Sequence, residues 1–129
     1  MSAALNLPEP LAELTAACDA YEMALMENDL DRLDELFWNS PLTLRYGVGE
    51  NLYGIDAIRA FRKGQTGGAP QREVLRREIV TFGTDTGLCN LEFRRHGSAR
   101  VGRQSQTWLK TGEGWRVVAA HVSIMPDGS

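Results

Sequence analysis

Residues 97–123 read GSARVGRQSQTWLKTGEGWRVVAAHVS. Turn residues at Thr111-Gly112-Glu113-Gly114 sit between two runs rich in Val, Thr and Trp, which predicts two antiparallel strands joined by a tight turn. Successive side chains of a strand point to opposite faces. The first strand therefore sets Arg103, Ser105 and Thr107 against Gln104, Gln106 and Trp108. In the second, Trp115, Val117, Ala119, His121 and Ser123 share one face, and Val118, Ala120, Val122 and Ile124 share the other. The latter face is wholly apolar. The former ends in His and Ser, the pattern of a cavity wall with a polar tip.

Upstream, Leu11, Leu14, Cys18, Tyr21 and Leu25 recur at spacings of three and four, which predicts an amphipathic helix opened by Pro8 and Pro10. Asn28 or Asp29 breaks and recaps the chain, and a second helix turns Leu30, Leu33, Leu36 and Phe37 inward until Pro41. Leu42 to Val48 reads as a strand with Leu42, Leu44 and Tyr46 on one face and Thr43, Arg45 and Gly47 on the other. A turn at Gly49, a return strand at Asn51–Tyr53 and a short helix over Ile55–Arg62 follow. Gly64 to Pro70 (GQTGGAP) reads as a flexible loop able to act as a lid. Arg72–Gly83 and Leu88–Arg95 complete the set as two longer strands. Helices first and antiparallel strands afterwards mean an α+β fold, with residues 1–129 as one domain.

Charge is unevenly placed. Residues 1–40 hold nine acids and one base, and residues 41–129 hold eight acids and thirteen bases. Twelve of the fourteen bases are Arg, which forms planar two-pronged bonds to carboxylates and stays charged when partly buried. Most of them decorate solvated strands and pair with the acidic helices; one or two facing inward would make a pocket for a small anion. A net charge of −3 argues against nucleic-acid binding. No run is long enough to span a membrane, no basic-then-apolar leader opens the chain, and two cysteines make no disulfide framework, so a cytoplasmic protein is expected. Two distant cysteines, His96 and His121 give no metal-ligand cluster, and GVGENLYG lacks the strand-to-helix setting of a nucleotide loop, so neither metal nor cofactor is expected.

Two residues stand out for chemistry. Tyr21 lies on the buried stripe of the first helix, and Arg45 on the inward face of the first strand if that face lines a cavity. The plain alternatives are a core Tyr bonded to a backbone carbonyl and an Arg paired with an internal carboxylate such as Glu92. The functional alternative is a Tyr that moves a proton beside an Arg that holds a substrate carboxylate, the positive charge favouring the phenolate. His121 is either a pocket acid, base or donor, or a satisfied strand residue. Arg103 and Ser105 share a face and could orient a second anionic or amide group, with Trp38 and Tyr53 as apolar wall.

The closing GWRVVAAHVS, together with LDELFW (33–38), TLRYGVGENLYG (43–54), IRAFR (58–62) and NLEFRRHGSARVGRQSQTW (90–108), resembles the AtzH/HpxZ-like family of the NTF2-like, or SnoaL-like, superfamily. The resemblance covers nearly the whole chain. It implies a cone in which about three N-terminal helices pack against a strongly curved mixed or antiparallel sheet around a pocket. It also implies a small catabolic enzyme, a metal-independent amidohydrolase acting on a carboxylated urea beside an amidase-signature hydrolase. The reaction implied for AtzH-like members is decarboxylating hydrolysis of 1,3-dicarboxyurea to allophanate in s-triazine (cyanuric acid) degradation; HpxZ-like members are associated with oxalurate. Tyr21 and Arg45 match the positions implicated in activity. A non-catalytic accessory subunit of the neighbouring amidase is the other role the fold allows. With Val118, Ala120, Val122 and Ile124 on an uncovered sheet face, a homodimer or dimer of dimers is expected.

Overall fold

The computed structural model describes residues 4–65 and 67–126. Helix α1 (Pro8–Glu27) is followed by α2 (Leu30–Leu36), strands β1 (Leu44–Tyr46) and β2 (Asn51–Tyr53), helix α3 (Ile55–Gly64) and four long strands. These are β3 (Arg72–Phe82), β4 (Thr86–Arg95), β5 (Val101–Thr111) and β6 (Gly114–Ile124). One six-stranded sheet runs β2-β1-β6-β5-β4-β3, antiparallel throughout except where β1 pairs parallel with β6. Helices on one face of a mixed sheet are the expected α+β arrangement. Among the described residues no helix is long and apolar enough to cross a membrane.

The helix boundaries follow from capping. Pro8 and Pro10 occupy the first turn of α1, where a missing N–H removes no hydrogen bond. Asn28 ends the helix in the left-handed region (φ 55°), which its short polar side chain tolerates. Asp29 then accepts from the Arg32 N–H at 3.1 Å and starts α2. The expected strand at Leu42–Val48 shrinks to three residues. Leu42 and Thr43 are drawn into a turn by bonds from their N–H groups to Ser40, and Leu42 is left 74% exposed.

The inner face of the sheet and the helices share one core of Leu14, Cys18, Tyr21, Leu33, Leu36, Phe37, Ile58, Trp108, Trp115 and Val117. Burying an aromatic or large aliphatic side chain contributes about 1.5–3 kcal/mol, so this cluster is the main cohesive term. Helix α1 reaches both β6 and β3, across β5 and β4. A second, smaller cluster of Leu91, Phe93 and Val122 lies nearer the opposite ends of the strands.

Two bulges decide what faces inward. Thr107 pairs with Ala119 but Trp108 with Val117, so Val118 is an extra residue in β6. Beyond it the alternation is reversed: Ala120 and Val122 are buried, while His121 is exposed. The expected grouping of His121 with Trp115 and Val117 is therefore corrected, and so is the apolar outer stripe on which sheet-to-sheet pairing was expected. Ala120, Val122 and Ile124 pack into the two clusters instead. In β3, Val74 pairs with Phe93 but Arg76 with Glu92, so Leu75 is the extra residue. That bulge puts Arg72 on the inner face together with Arg77 and Ile79.

Gly102 lets Phe93 lie flat across β5, since a Cβ there would run into the Phe93 ring. Gly102→Ala should displace that ring and cost about 1–3 kcal/mol, read as a lower denaturant midpoint; a midpoint unchanged from wild type would show that the ring can move aside freely.

Candidate functional site

A cavity opens between α1, α3, the 65–70 segment and the inner face of β1, β3, β4, β5 and β6. It has two adjoining lobes of about 490 and 480 Å³, measured out to the open mouth, that share Tyr21, Leu25, Arg45, Gln65 and Ala69. One lobe is walled by Leu30, Leu33, Leu52, Ile58 and Phe61. The other is walled by Arg72, Arg95, Gln104, Pro70 and Val122. One side is apolar and the other cationic.

Tyr21 enters from the buried stripe of α1. Its ring is wedged against Phe37 and Trp108, with centroids 6.1 and 6.3 Å away. Among the described residues its hydroxyl makes no hydrogen bond, so the alternative of a core Tyr tied to a backbone carbonyl does not hold. Arg45 enters from β1, whose parallel register sets it beside Ala120. Its Nη1 donates to Glu50 Oε2 at 2.9 Å, and its guanidinium stands 5.7 Å from the Phe61 ring centroid. Glu50, on the β1–β2 turn, is the carboxylate partner that had been expected at Glu92. Glu92 is exposed on the outer face of β4.

Three further polar residues share the cavity. Arg72 donates through Nε and Nη2 to the Glu22 carboxylate at 3.0 and 2.7 Å, and lies 4.4 Å above the Phe93 ring. It also reaches Gln104 Oε1 at 3.3 Å. Arg95 stands directly across the ladder from Arg72. Burial, and then the guanidinium groups of Arg72 and Arg45, hold Arg95 below the usual guanidinium range. Gln104 is buried, with its Nε2 unpartnered. Sequence reading missed all three. No signal marked the pair: carried unbroken from Phe82 opposite Thr86, the register would set Arg72 opposite His96, and it is the Leu75 bulge that brings it opposite Arg95.

The remaining expected site residues are elsewhere. Ser105 sits opposite His121, and Arg103 Nε reaches Ser123 Oγ at 3.3 Å, so Arg103, Ser105 and His121 do come together, but on the outer face. There His121 packs edge-on to Tyr46, which in turn meets Tyr53 hydroxyl to hydroxyl at 3.3 Å. Tyr53 is 62% exposed and is no part of the wall. Trp38 lines a separate surface cleft with Asp34, Arg59 and Arg116. Leu25, Leu52 and Phe61 supply the apolar wall in their stead.

The 64–70 loop does border the cavity, through Gln65, Gly68, Ala69 and Pro70; Thr66 within it lies outside the described residues. Gln71 Nε2 fastens the end of this segment to Met26 O at 2.9 Å, and Gly68 (φ 72°) packs so close to Asn28 that a side chain would not fit. The loop is thus latched to the C-terminal end of α1. Cys18 and Cys89 are buried outside the cavity lining, and the hydrogen bond between the two thiols, with burial second, pushes the Cys18 thiol up. Among the described residues no group of His, Cys, Asp and Glu could hold a metal ion.

The sequence model of AtzH-like proteins matches residues 3–128. The chain belongs to the AtzH-like family. This AtzH-like protein is 51% identical to a Pectobacterium atrosepticum protein of unknown function from the DUF3225 family, whose crystal structure superposes with a TM-score of 0.92 over 95% of both chains. It is 41% identical to a cystatin-like fold protein of Burkholderia xenovorans, with a TM-score of 0.91 over 96% of this chain and 99% of that one. An NTF2-like superfamily protein of Salmonella enterica shares 20% identity at a TM-score of 0.73, covering 93% of this chain and 94% of its own. That likeness shows the NTF2-like fold. No curated protein matches the AtzH-like chain.

Because the Tyr21 hydroxyl has no partner to lose among the described residues, Tyr21→Phe should shift stability by no more than about 0.5 kcal/mol. Thermal melting checks this; a drop well beyond that figure would mean that the hydroxyl is a structural group.

Proposed function

We propose that this AtzH-like protein hydrolyses a small carboxylated urea, with 1,3-dicarboxyurea as substrate and allophanate and bicarbonate as products. The supporting observation is that the unpartnered Tyr21 hydroxyl and the Arg45 guanidinium converge on one cavity whose polar side is cationic. The family resemblance supplies the substrate; the cavity supports a small anion of that kind.

In this reading Arg45 exchanges its single bond to Glu50 for a two-pronged, charge-assisted contact with a terminal carboxylate of the substrate. The bond between the other carboxyl carbon and its urea nitrogen breaks. Tyr21 delivers a proton to that nitrogen and regains one from the water whose oxygen ends in bicarbonate. The dianion and one water become the allophanate and bicarbonate monoanions, so atoms and charge balance. Leu25, Leu52 and Phe61 keep the apolar side dry, which strengthens the electrostatic contacts made there.

Product analysis on freshly prepared 1,3-dicarboxyurea tests the reading, because uncatalysed loss of CO2 sets the background. Tyr21→Phe should lower turnover by roughly 10²-fold or more with binding retained. Arg45→Lys should fail to restore activity, since an ammonium cannot reproduce the planar fork. Saturable binding with no rate above background in the wild type would overturn the enzyme and make the cavity that of a carrier for the intermediate. Full activity in Arg45→Lys would reduce Arg45 to a point charge.

A further inference from the structure

Four arginines line the cavity and they are not equivalent; Arg62 is held by Asp34, with the Phe37 ring centroid 5.1 Å away. Arg72 has no free prong: its nitrogens serve Glu22 and Gln104, Phe93 covers one face, and its side chain is 5% exposed. Arg45 is shared with Glu50, and both of those side chains remain about a fifth exposed, at 22% and 23%. Arg95 has no carboxylate counterpart, only the Phe93 ring with its centroid 5.9 Å away. Among the described residues no carboxylate or carbonyl accepts from it, and it faces Arg72 across the ladder.

Gln104 adds a second unmet demand in the same lobe. It is 3% exposed, and its Nε2 finds no acceptor. Its orientation is fixed by Arg72, because turning the amide over would set an NH2 group against the guanidinium donors. A buried donor without an acceptor has given up its water and received nothing in return. A half-buried cation facing two others is also unfavourable in the empty protein. One planar anion satisfies both demands at once.

We propose that Arg95 and Gln104 form a carboxylate subsite of their own, so that the cavity takes a small dianion with one carboxylate on Arg95 and the other on Arg45. The Arg45 half rests on the function proposed above; the Arg95 half does not. Arg95 is ready to receive an anion, whereas Arg45 must first release Glu50 to the mouth of the cavity. Arg72 is a positioning residue. Held by Glu22, it fixes the orientation of the Gln104 amide.

The assignment is tested by NMR titration of the full chain with two stable probes. Glutarate has a carboxylate at each end of a five-carbon chain, matching the five-atom chain of 1,3-dicarboxyurea; butyrate lacks one of the carboxylates. Arg95→Gln should weaken both probes by about tenfold or more, since each loses its charge-assisted fork. Arg45→Gln should weaken glutarate by a similar factor and leave butyrate within about twofold, because a single carboxylate goes to the free cation. Without ligand, Arg95→Gln should melt no lower than wild type, as a repulsion has been removed. Should it melt early, Arg95→Lys serves instead, and is expected to weaken both probes about threefold by losing the fork and keeping the charge. Butyrate binding unchanged in the Arg95 variant used overturns the subsite, and so does butyrate binding that depends on Arg45 alone. Glutarate binding indifferent to Arg45 would overturn the role proposed for Arg45 and leave that of Arg95 standing. Binding as expected without turnover of 1,3-dicarboxyurea would overturn the reaction alone.

Discussion

The contact between Glu22 and Arg72 joins the first helix to the far edge of the sheet, and the electrostatics of the cavity are organised around it. Helix α1 presents Glu13, Asp19 and Glu22 to Lys110, Arg77 and Arg72. The first two pairs are largely exposed, where an ion pair contributes little. The third is different, because the Arg72 side chain is almost fully buried on Phe93 and breaking the pair would strand a charge away from water. Gly102 is part of the same arrangement, since it gives Phe93 the space to lie under the guanidinium. At the cavity, Asp34 and Glu22 thus neutralise Arg62 and Arg72, Glu50 neutralises Arg45, and Arg95 is left without a carboxylate among the described residues.

Much of this was legible in the amino-acid order. The Leu14–Cys18–Tyr21 stripe fixes which side of α1 is buried, and so brings Tyr21 to the cavity. Strand alternation around Leu44 and Tyr46 turns Arg45 inward. The turn at Thr111–Gly114 pairs β5 with β6 as expected. Period-3.6 and period-2 patterns carry such information because burial acts on every residue of an element.

What escaped had a local cause. Counting alternation through β6 assumes that each residue advances the pleat by one step, and Val118 breaks that assumption. The error moves His121 to the wrong side and, with it, the expected roles of Arg103 and Ser105. Leu75 hides Arg72 in the same way: counted back from Ile79, Arg72 falls on the outer face, among arginines that do lie in solvent. Trp38 and Tyr53 are aromatic yet sit at turns and edges, and the wall is made by aliphatic residues and Phe61. Composition alone does not separate a cavity lining from an exposed ring.

The two bulges have a consequence for descent and engineering. Each divides a strand into halves that keep the same hydrogen-bonded neighbours and opposite facing rules. Deleting Val118 would leave the far half of β6 in its place but exchange its sides, carrying an imidazole and a hydroxyl inward and sending Val122 out. Deleting Leu75 would do the same to Arg72. A single codon lost or gained at either point therefore re-letters the interior without redrawing the scaffold. Chains of this architecture can differ in what they enclose by the position of one unpaired residue, with every other side chain conserved.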